Sequence, residues 1–488
     1  MWGIIINLFN MEVLKISYYN ASALWRGMEN IMRKREKKKL LLFKRDDFIE
    51  KMKKKNTVTK NHEVVMKNNH KKNIQQLIGI TFCFICLVVS INGCSSEEKK
   101  HKVDSTAKIQ STKEVEVEEG KVVTDSTEIV AMAGTIVNKM TLEEKIGQMF
   151  LVQLEQLDTS KGDYYEFRKF TKEMKESMEK YSVGGIILFA RNMEDIDQTK
   201  TLIENAQGSS KVPLFISVDE EGGDVARIGN NSNMHTTTFP PMEEVGADYD
   251  EEYAYRMGET IGKEIKELGF NLNFSPVADV KTNIYNEEIG NRAFGSDEKV
   301  VSKMVTQVVK GLQSQNISAT LKHFPGHGSV SGDSHTSPVN ADTDLLGLRS
   351  VEFKPFKAGI NAGVDFVMVS HISVSKVTES TAPACMSKIV IKNMLRDELG
   401  FHGVIITDAM DMGAITEKYD ADEAAVNAIK AGVDIVLMTT DLEEAYEAVY
   451  KAVENGTITE EQINKSVQRI MEVKIKRGLI LSDTDLLS

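Results

Sequence analysis

Residues 318–335 read SATLKHFPGHGSVSGDSH. The first seven are a short, largely apolar run that ends on Lys322, His323 and Phe324, as a strand buried on both faces does where it reaches a polar surface. Pro325, Gly326, Gly328 and Gly332 then stop regular structure, so the chain leaves the strand as an irregular loop carrying His327, Asp333 and His335. The same kind of run recurs along the chain: MFLVQL (149–154), GGIILFA (184–190), PLFISVD (213–219), FNLNFSPVAD (270–279), FVMVSHI (366–372), GVIITDA (403–409) and DIVLMTT (434–440). Helix-like stretches separate them, such as DYYEFRKFTKEMKESMEKYS (163–182), EEYAYRMGETIGKEIKELG (251–269) and DEAAVNAIKAG (422–432). Apolar strands alternating with helices imply a parallel sheet covered on both faces. Eight such units predict an α/β fold of the (β/α)8 TIM-like barrel type, as a single domain over residues 129–482. A doubly wound open sheet is the alternative.

The barrel carries a corollary: its site belongs at the C-terminal ends of the strands. Asp219, Asp279, Lys322 with His323, His371 and Asp408 lie at or near the ends of five of the runs. Polar groups there are costly to bury unpartnered, so their convergence at one mouth predicts a site for a polar substrate. Near the start of the domain, Thr141 and Glu144 frame a capping box that predicts a helix.

Charge is distributed unevenly. Residues 1–93 carry 18 Lys+Arg against 7 Asp+Glu, and the rest of the 488-residue chain carries 42 against 65. So acidic a body lacks the basic face that nucleic acid requires, and no nucleic-acid partner is expected. Neither GxxxxGK[ST] nor a GxGxxG after the first strand is present, which removes support for nucleotide binding. Of the cysteines, Cys83, Cys86 and Cys94 lie in or directly after one apolar run and Cys385 stands alone in the acidic part, so no disulfide framework is expected.

From Met66 a basic segment precedes LIGITFCFICLVVSI (77–91) and then NGCSS. A basic start, a short apolar stretch and a small residue before a cut describe an export signal, and the stretch falls short of the ~20 residues of a spanning helix. Residues 91–94, INGC, resemble a bacterial lipobox. That resemblance implies a signal peptide over 66–94, lipidation of Cys94 and anchoring to a membrane face outside the cytoplasm; an uncleaved N-terminal anchor is the alternative. Residues 1–65 read as upstream sequence ahead of a true start at Met66. Residues 95–128 are charged, Ser/Thr-rich and poor in large apolar groups, and read as a flexible tether.

Within the loop after the fifth run, Asp333 and His335 stand two apart. In a turn the carboxylate reaches Nδ1, fixing the tautomer and orienting the ring for general acid/base work. The plain alternative is an Asp-Ser turn with a solvated histidine. Asp408 follows four residues of an apolar strand and should emerge at the mouth, where a carboxylate suits nucleophilic attack on an anomeric carbon. Asp411, three residues on, is its rival, and its plainer reading is a helix-start partner. His323, His327, His335 and Asp333 match no usual zinc spacing, so neither metal nor cofactor is expected.

Taken together, MTLEEKIGQMFLV, VGGIILFARN, DEEGGDVARI, NFSPVADV, GNRAFG, KHFPGHGSVSGDSH, VMVSHI and GFHGVIITDAMDMGAI resemble glycoside hydrolase family 3, in its NagZ-type β-N-acetylglucosaminidase (β-N-acetylhexosaminidase) branch, over about residues 130–480. The resemblance implies a retaining exo-glycosidase acting on terminal β-linked GlcNAc of peptidoglycan fragments or related glycans. It implies Asp408 as nucleophile, His335 as acid/base and Asp333 as its dyad partner. It further implies Asp219, Arg227, Arg292, Lys322 and His323 as sugar-binding residues. Phosphorolysis, a β-glucosidase or β-xylosidase activity, and a catalytically silent glycan-binding lipoprotein are the alternatives. One departure stands out: Asp224 follows DEEGG where relatives often carry Arg, and at the entrance it would alter preference beyond the first sugar.

Overall fold

A computed structural model describes residues 125–482 apart from Asp163. The export segment, the lipobox at Cys94 and nearly all of the tether lie outside the described residues. The sequence reading runs the tether through Glu128, whereas a helix, Ser126–Lys139 (α1), begins three residues earlier. Asp125 caps it, its carboxylate accepting from Thr127 and Glu128 N–H at 2.9 and 3.1 Å. The expected capping box closes at Thr141 and Glu144 and starts Leu142–Gln148 (α2). No helix among the described residues is long and apolar enough to cross a membrane.

Ten strands follow: β1 (Phe150–Gln153), β2 (Gly185–Ile187), β3 (Phe215–Val218), β4 (Glu220–Gly222), β5 (Val225–Ala226), β6 (Leu272–Asn273), β7 (Ser318–Phe324), β8 (Phe366–Val369), β9 (Val404–Thr407) and β10 (Val436–Leu437). Strands β4 and β5 form a small antiparallel hairpin. The other eight lie in the order β10-β1-β2-β3-β6-β7-β8-β9, and their paired neighbours are parallel. The Ile406–Ile435 bridge joins the two ends, with Thr407 N–H donating to Ile435 at 3.0 Å and Met410 N–H to Leu437 at 2.9 Å. Each of the eight runs read from the sequence supplies one barrel strand, and the doubly wound alternative is set aside. These strands are buried along their whole length, which explains why their sequences lack polar alternation.

The stretch 163–182 becomes helix only over Lys172–Tyr181, capped by Thr171; residues 164–170 form loop and turns. On the outside of the barrel, helices Glu251–Glu267 (α3) and Glu298–Ser314 (α4) pack backbone to backbone. A Cβ at Gly311 would stand 2.3 Å from the Tyr255 carbonyl oxygen, so only glycine permits this approach. Phe215 and Phe366 meet edge to face with ring centroids 5.2 Å apart, an arrangement that adds about 0.5–1.5 kcal/mol beyond burial. The opposite end from the mouth is closed by the last helix, Glu460–Lys476 (α5). Its Lys474 is fully buried and donates to Gln148 Oε1 at 2.7 Å and the Gly184 carbonyl at 3.1 Å.

Candidate active site

The C-terminal ends of the strands open on a cavity of about 510 Å3. Asp219, Arg227, Arg292, Lys322, His323, His335 and Asp408 line it, so seven of the eight expected site residues meet in one recess. The eighth, Asp333, stands behind His335 and accepts its backbone N–H at 2.9 Å, with the ring Nδ1 2.8 Å from the same oxygen. This is the turn geometry read from the DSH spacing. Asp279 and His371, also expected at strand ends, lie behind the lining. Asp279 accepts from His323 N–H, from His327 N–H at 2.6 Å and pairs with His323 Nδ1 at 2.7 Å. His371 donates from Nε2 to the Ala409 carbonyl at 2.8 Å, beside the proposed nucleophile. Both bind the loops that carry the site.

Two groups stand out beyond those expected. Glu221, in the DEEGG stretch, is 1% exposed and takes Lys322 Nζ at 2.6 Å and Arg292 at 2.8 and 3.0 Å. Lys322 also reaches Asp219 at 2.7 Å. Arg292 therefore both lines the cavity and makes a buried ion pair. Burial raises the Glu221 carboxyl, and the charges of Arg292 and Lys322 more than offset it, holding it well below the usual carboxylate range. The second group is Glu288. It accepts from Ser334 N–H at 2.9 Å and Ser334 Oγ at 2.7 Å, and its Oε1 lies 3.5 Å from His335 Nδ1. No periodicity marks Glu288, because it sits in an irregular turn outside the strands and helices.

Burial also pushes the Asp408 carboxyl up, but His323, His371, the Ala409 N–H and Lys322 pull it below its ordinary value, so it stays ionised. Its Oδ1 accepts the Ala409 N–H at 2.8 Å. The glycines of 326–332 predict a mobile acid/base loop, yet that loop is docked: Gly413 N–H donates to the His335 carbonyl at 2.9 Å and Ala414 N–H to Ser334 at 3.1 Å. Arg227 lines the cavity with its Nε buried and unpartnered among the described residues, a donor left for a ligand. Asp224 is exposed, accepts from Asn291 at 2.8 Å and is not part of the lining.

For metal, Glu288, Asp333 and His335 bring three ligand atoms within 4.8 Å of one another, while His323 pairs with Asp279 and His327 Nε2 lies 3.2 Å from Ser334 Oγ and 3.4 Å from Glu288. The set expected to be weighed for zinc therefore does not come together as such.

Fold and mouth together define a (β/α)8-barrel protein of the glycoside hydrolase class. The chain belongs to glycosyl hydrolase family 3, whose N-terminal domain model matches residues 141–473. It is similar to a beta-hexosaminidase A of Pseudoalteromonas piscicida, 36% identical over 332 residues, covering 62% of this chain and 55% of that one. A beta-hexosaminidase of Stenotrophomonas maltophilia is 35% identical, covering 55% of this chain and 80% of its own. Among solved structures, a family 3 β-N-acetylglucosaminidase from Paenibacillus sp. str. FPU-7 superposes with a TM-score of 0.65 at 35% identity, covering 70% of this chain and 63% of that one. The chain thus spans little more than half of the first of these relatives.

Proposed function

We propose that the protein is a retaining exo-β-N-acetylglucosaminidase acting on glycans that end in β-GlcNAc, peptidoglycan fragments among them. The observation that carries this reading is the Asp333–His335 pair presented to the same cavity as the ionised Asp408. The names of the relatives support the sugar. In the first step Asp408 attacks the anomeric carbon, forming a glycosyl ester, while the glycosidic C–O bond breaks and its oxygen takes the proton from His335. In the second, His335 takes a proton from water, whose oxygen displaces Asp408 and releases the sugar. Asp333 holds Nδ1 as the donor, which leaves Nε2 to move the proton. Asp219, Lys322, His323, Arg292 and Arg227 supply charge-assisted hydrogen bonds to ring hydroxyls.

The test is hydrolysis of nitrophenyl β-GlcNAc by residues 95–488, beside a panel of nitrophenyl glucoside and xyloside, with and without phosphate. Release of GlcNAc independent of phosphate is expected. Asp408→Asn should abolish turnover, and His335→Ala should lower it by about 10²–10⁴-fold. An inactive wild type overturns the function, and full activity in Asp408→Asn overturns the nucleophile. We infer further that residues 66–94 direct export and that Cys94 carries a lipid. Labelling of cells with radioactive palmitate, lost in Cys94→Ala, is the expected result.

A further inference from the structure

A second recess, of about 710 Å3, adjoins the reaction cavity and shares Gln153, Tyr164 and Asp411 with it. Its position follows the order of the barrel. The groups assigned to the reacting sugar stand after β3, β5 and β6 and at the end of β7, and Asp408 stands after β9. The anomeric carbon therefore points toward β9, and the leaving group continues toward β10 and β1. There the second recess lies, bounded by Asp441 and Glu443 after β10 and by Glu155 and Asp158 after β1.

Three features of this recess have no role in the chemistry described above. Its wall is acidic: Glu155, Asp158, Glu173, Glu176, Asp441 and Glu443 line it, Lys180 is the one cation among its described lining residues, and Lys172 of the same helix pairs with Glu176 at 2.6 Å. Lys180 is itself committed to Glu443 at 2.7 Å. Second, the Glu155 side chain is 3% exposed; one oxygen takes Arg191 at 2.7 Å, and the other is buried without a partner among the described residues. Third, Tyr164 stands at the shared rim, 73% exposed, with its backbone in the left-handed region at φ 60°. That conformation costs a tyrosine about 1–2 kcal/mol, of which the contact of its ring with Arg191 offsets a part. Its face lies 5.5 Å from the Arg191 guanidinium, which Glu155 and Gln153 hold in place. A strained, exposed aromatic at the rim of a sugar site is suited to stacking on a pyranose ring.

We propose that this recess binds the second sugar of the substrate as an amino sugar with a free, protonated 2-amino group, Tyr164 stacking on its ring and the acidic wall receiving the ammonium. The inference rests on the β-N-acetylglucosaminidase reading and adds the identity of the leaving group. An N-acetyl group in the same place presents a neutral amide and forfeits the charge attraction.

The test uses the protein of residues 95–488 with three substrates: nitrophenyl β-GlcNAc, the β-1,4 disaccharide of two GlcNAc units, and the same disaccharide with glucosamine as its second sugar. At low salt kcat/KM for the free amine should exceed that for the acetylated disaccharide by about ten-fold, and about 0.5 M salt should narrow the ratio by screening. Glu173→Gln combined with Glu176→Gln, both on the exposed side of a helix, should narrow it without salt. Tyr164→Ala should lower both disaccharides more than the aryl glycoside. Hydrolysis of all three substrates with equal kcat/KM for the two disaccharides overturns this inference and leaves the proposed function standing. A ratio that persists in both the double variant and high salt also overturns it. Failure to hydrolyse any of the three overturns both.

Discussion

Glu288 faces His335, the proposed acid/base, from a loop that contributes no strand residue to the barrel, and its carboxylate is 6% exposed. By holding Ser334 through both N–H and Oγ it fixes the residue next to His335, so it acts as a positioning residue through its neighbour. Glu288→Gln should slow substrates with poor leaving groups, which need the proton, by about ten-fold or ~1.4 kcal/mol. A dinitrophenyl glycoside, whose leaving group needs little protonation, should be nearly unaffected. Equal losses on both substrates would show a general structural defect instead. At Asp408, the lowered carboxyl sets a different expectation: the nucleophile remains charged at every pH above its ordinary value of 3.8. The pH profile of kcat/KM should therefore show no acid limb from Asp408 above pH 3.8.

At the scale of elements, the site depends on two loops being tied together. The loop after β7 rests on the loop after β9 at Gly413, where a Cβ would stand 2.7 Å from Thr336 and 2.9 Å from the His335 carbonyl oxygen. Gly413→Ala should push the acid/base away from the nucleophile, lowering kcat/KM by about 10–100-fold, since ångström misplacement is worth that much. Its melting temperature should stay close to that of the wild type, because the contact lies at the mouth and not in the core. This tie was not legible in the sequence. The strand runs, the polar residues at their ends and the DSH turn are local patterns, and local patterns can be read along a chain. The docking of His335 on Gly413, and the reach of Glu288 from a loop more than forty residues upstream, depend on which loops the closed barrel brings together. The glycines that suggest freedom for the loop instead let it fit: a Cβ at Gly328 would stand 2.0 Å from the Val280 carbonyl oxygen.

At the scale of the whole molecule, the described residues form a barrel whose mouth is charged and whose far end is sealed by a lysine. Lys474 is buried by a helix that reads, from the sequence, only as a tail after the eighth strand, since nothing in its periodicity tells a buried lysine from an exposed one. Burial lowers its pKa to about 7, whereas an unfolded chain keeps the proton to about 10.4. Between those values the unfolded state binds more protons, so stability rises with pH from about 7 to about 10. Lys474→Met should flatten that rise. Its removal leaves Gln148 Oε1 and the Gly184 carbonyl without this donor, so at pH 9 the variant should be less stable by about 1–3 kcal/mol. The difference should shrink at pH 7, as denaturant midpoints at the two pH values will measure.

That seal is also the last part of the domain to be synthesised. Lys476 and Arg477 pair with Asp365 beneath β8, and Gln468 of the same helix reaches back to Val130 in α1, the first of the described elements. A chain still on the ribosome can form the early βα units in order, but Gln148 Oε1 gains Lys474, and Asp365 gains Lys476 and Arg477, only when α5 and the residue after it emerge. The barrel is thus completed only when translation of the domain is, and a message truncated before α5 should yield a product that proteases clear rather than a slower enzyme.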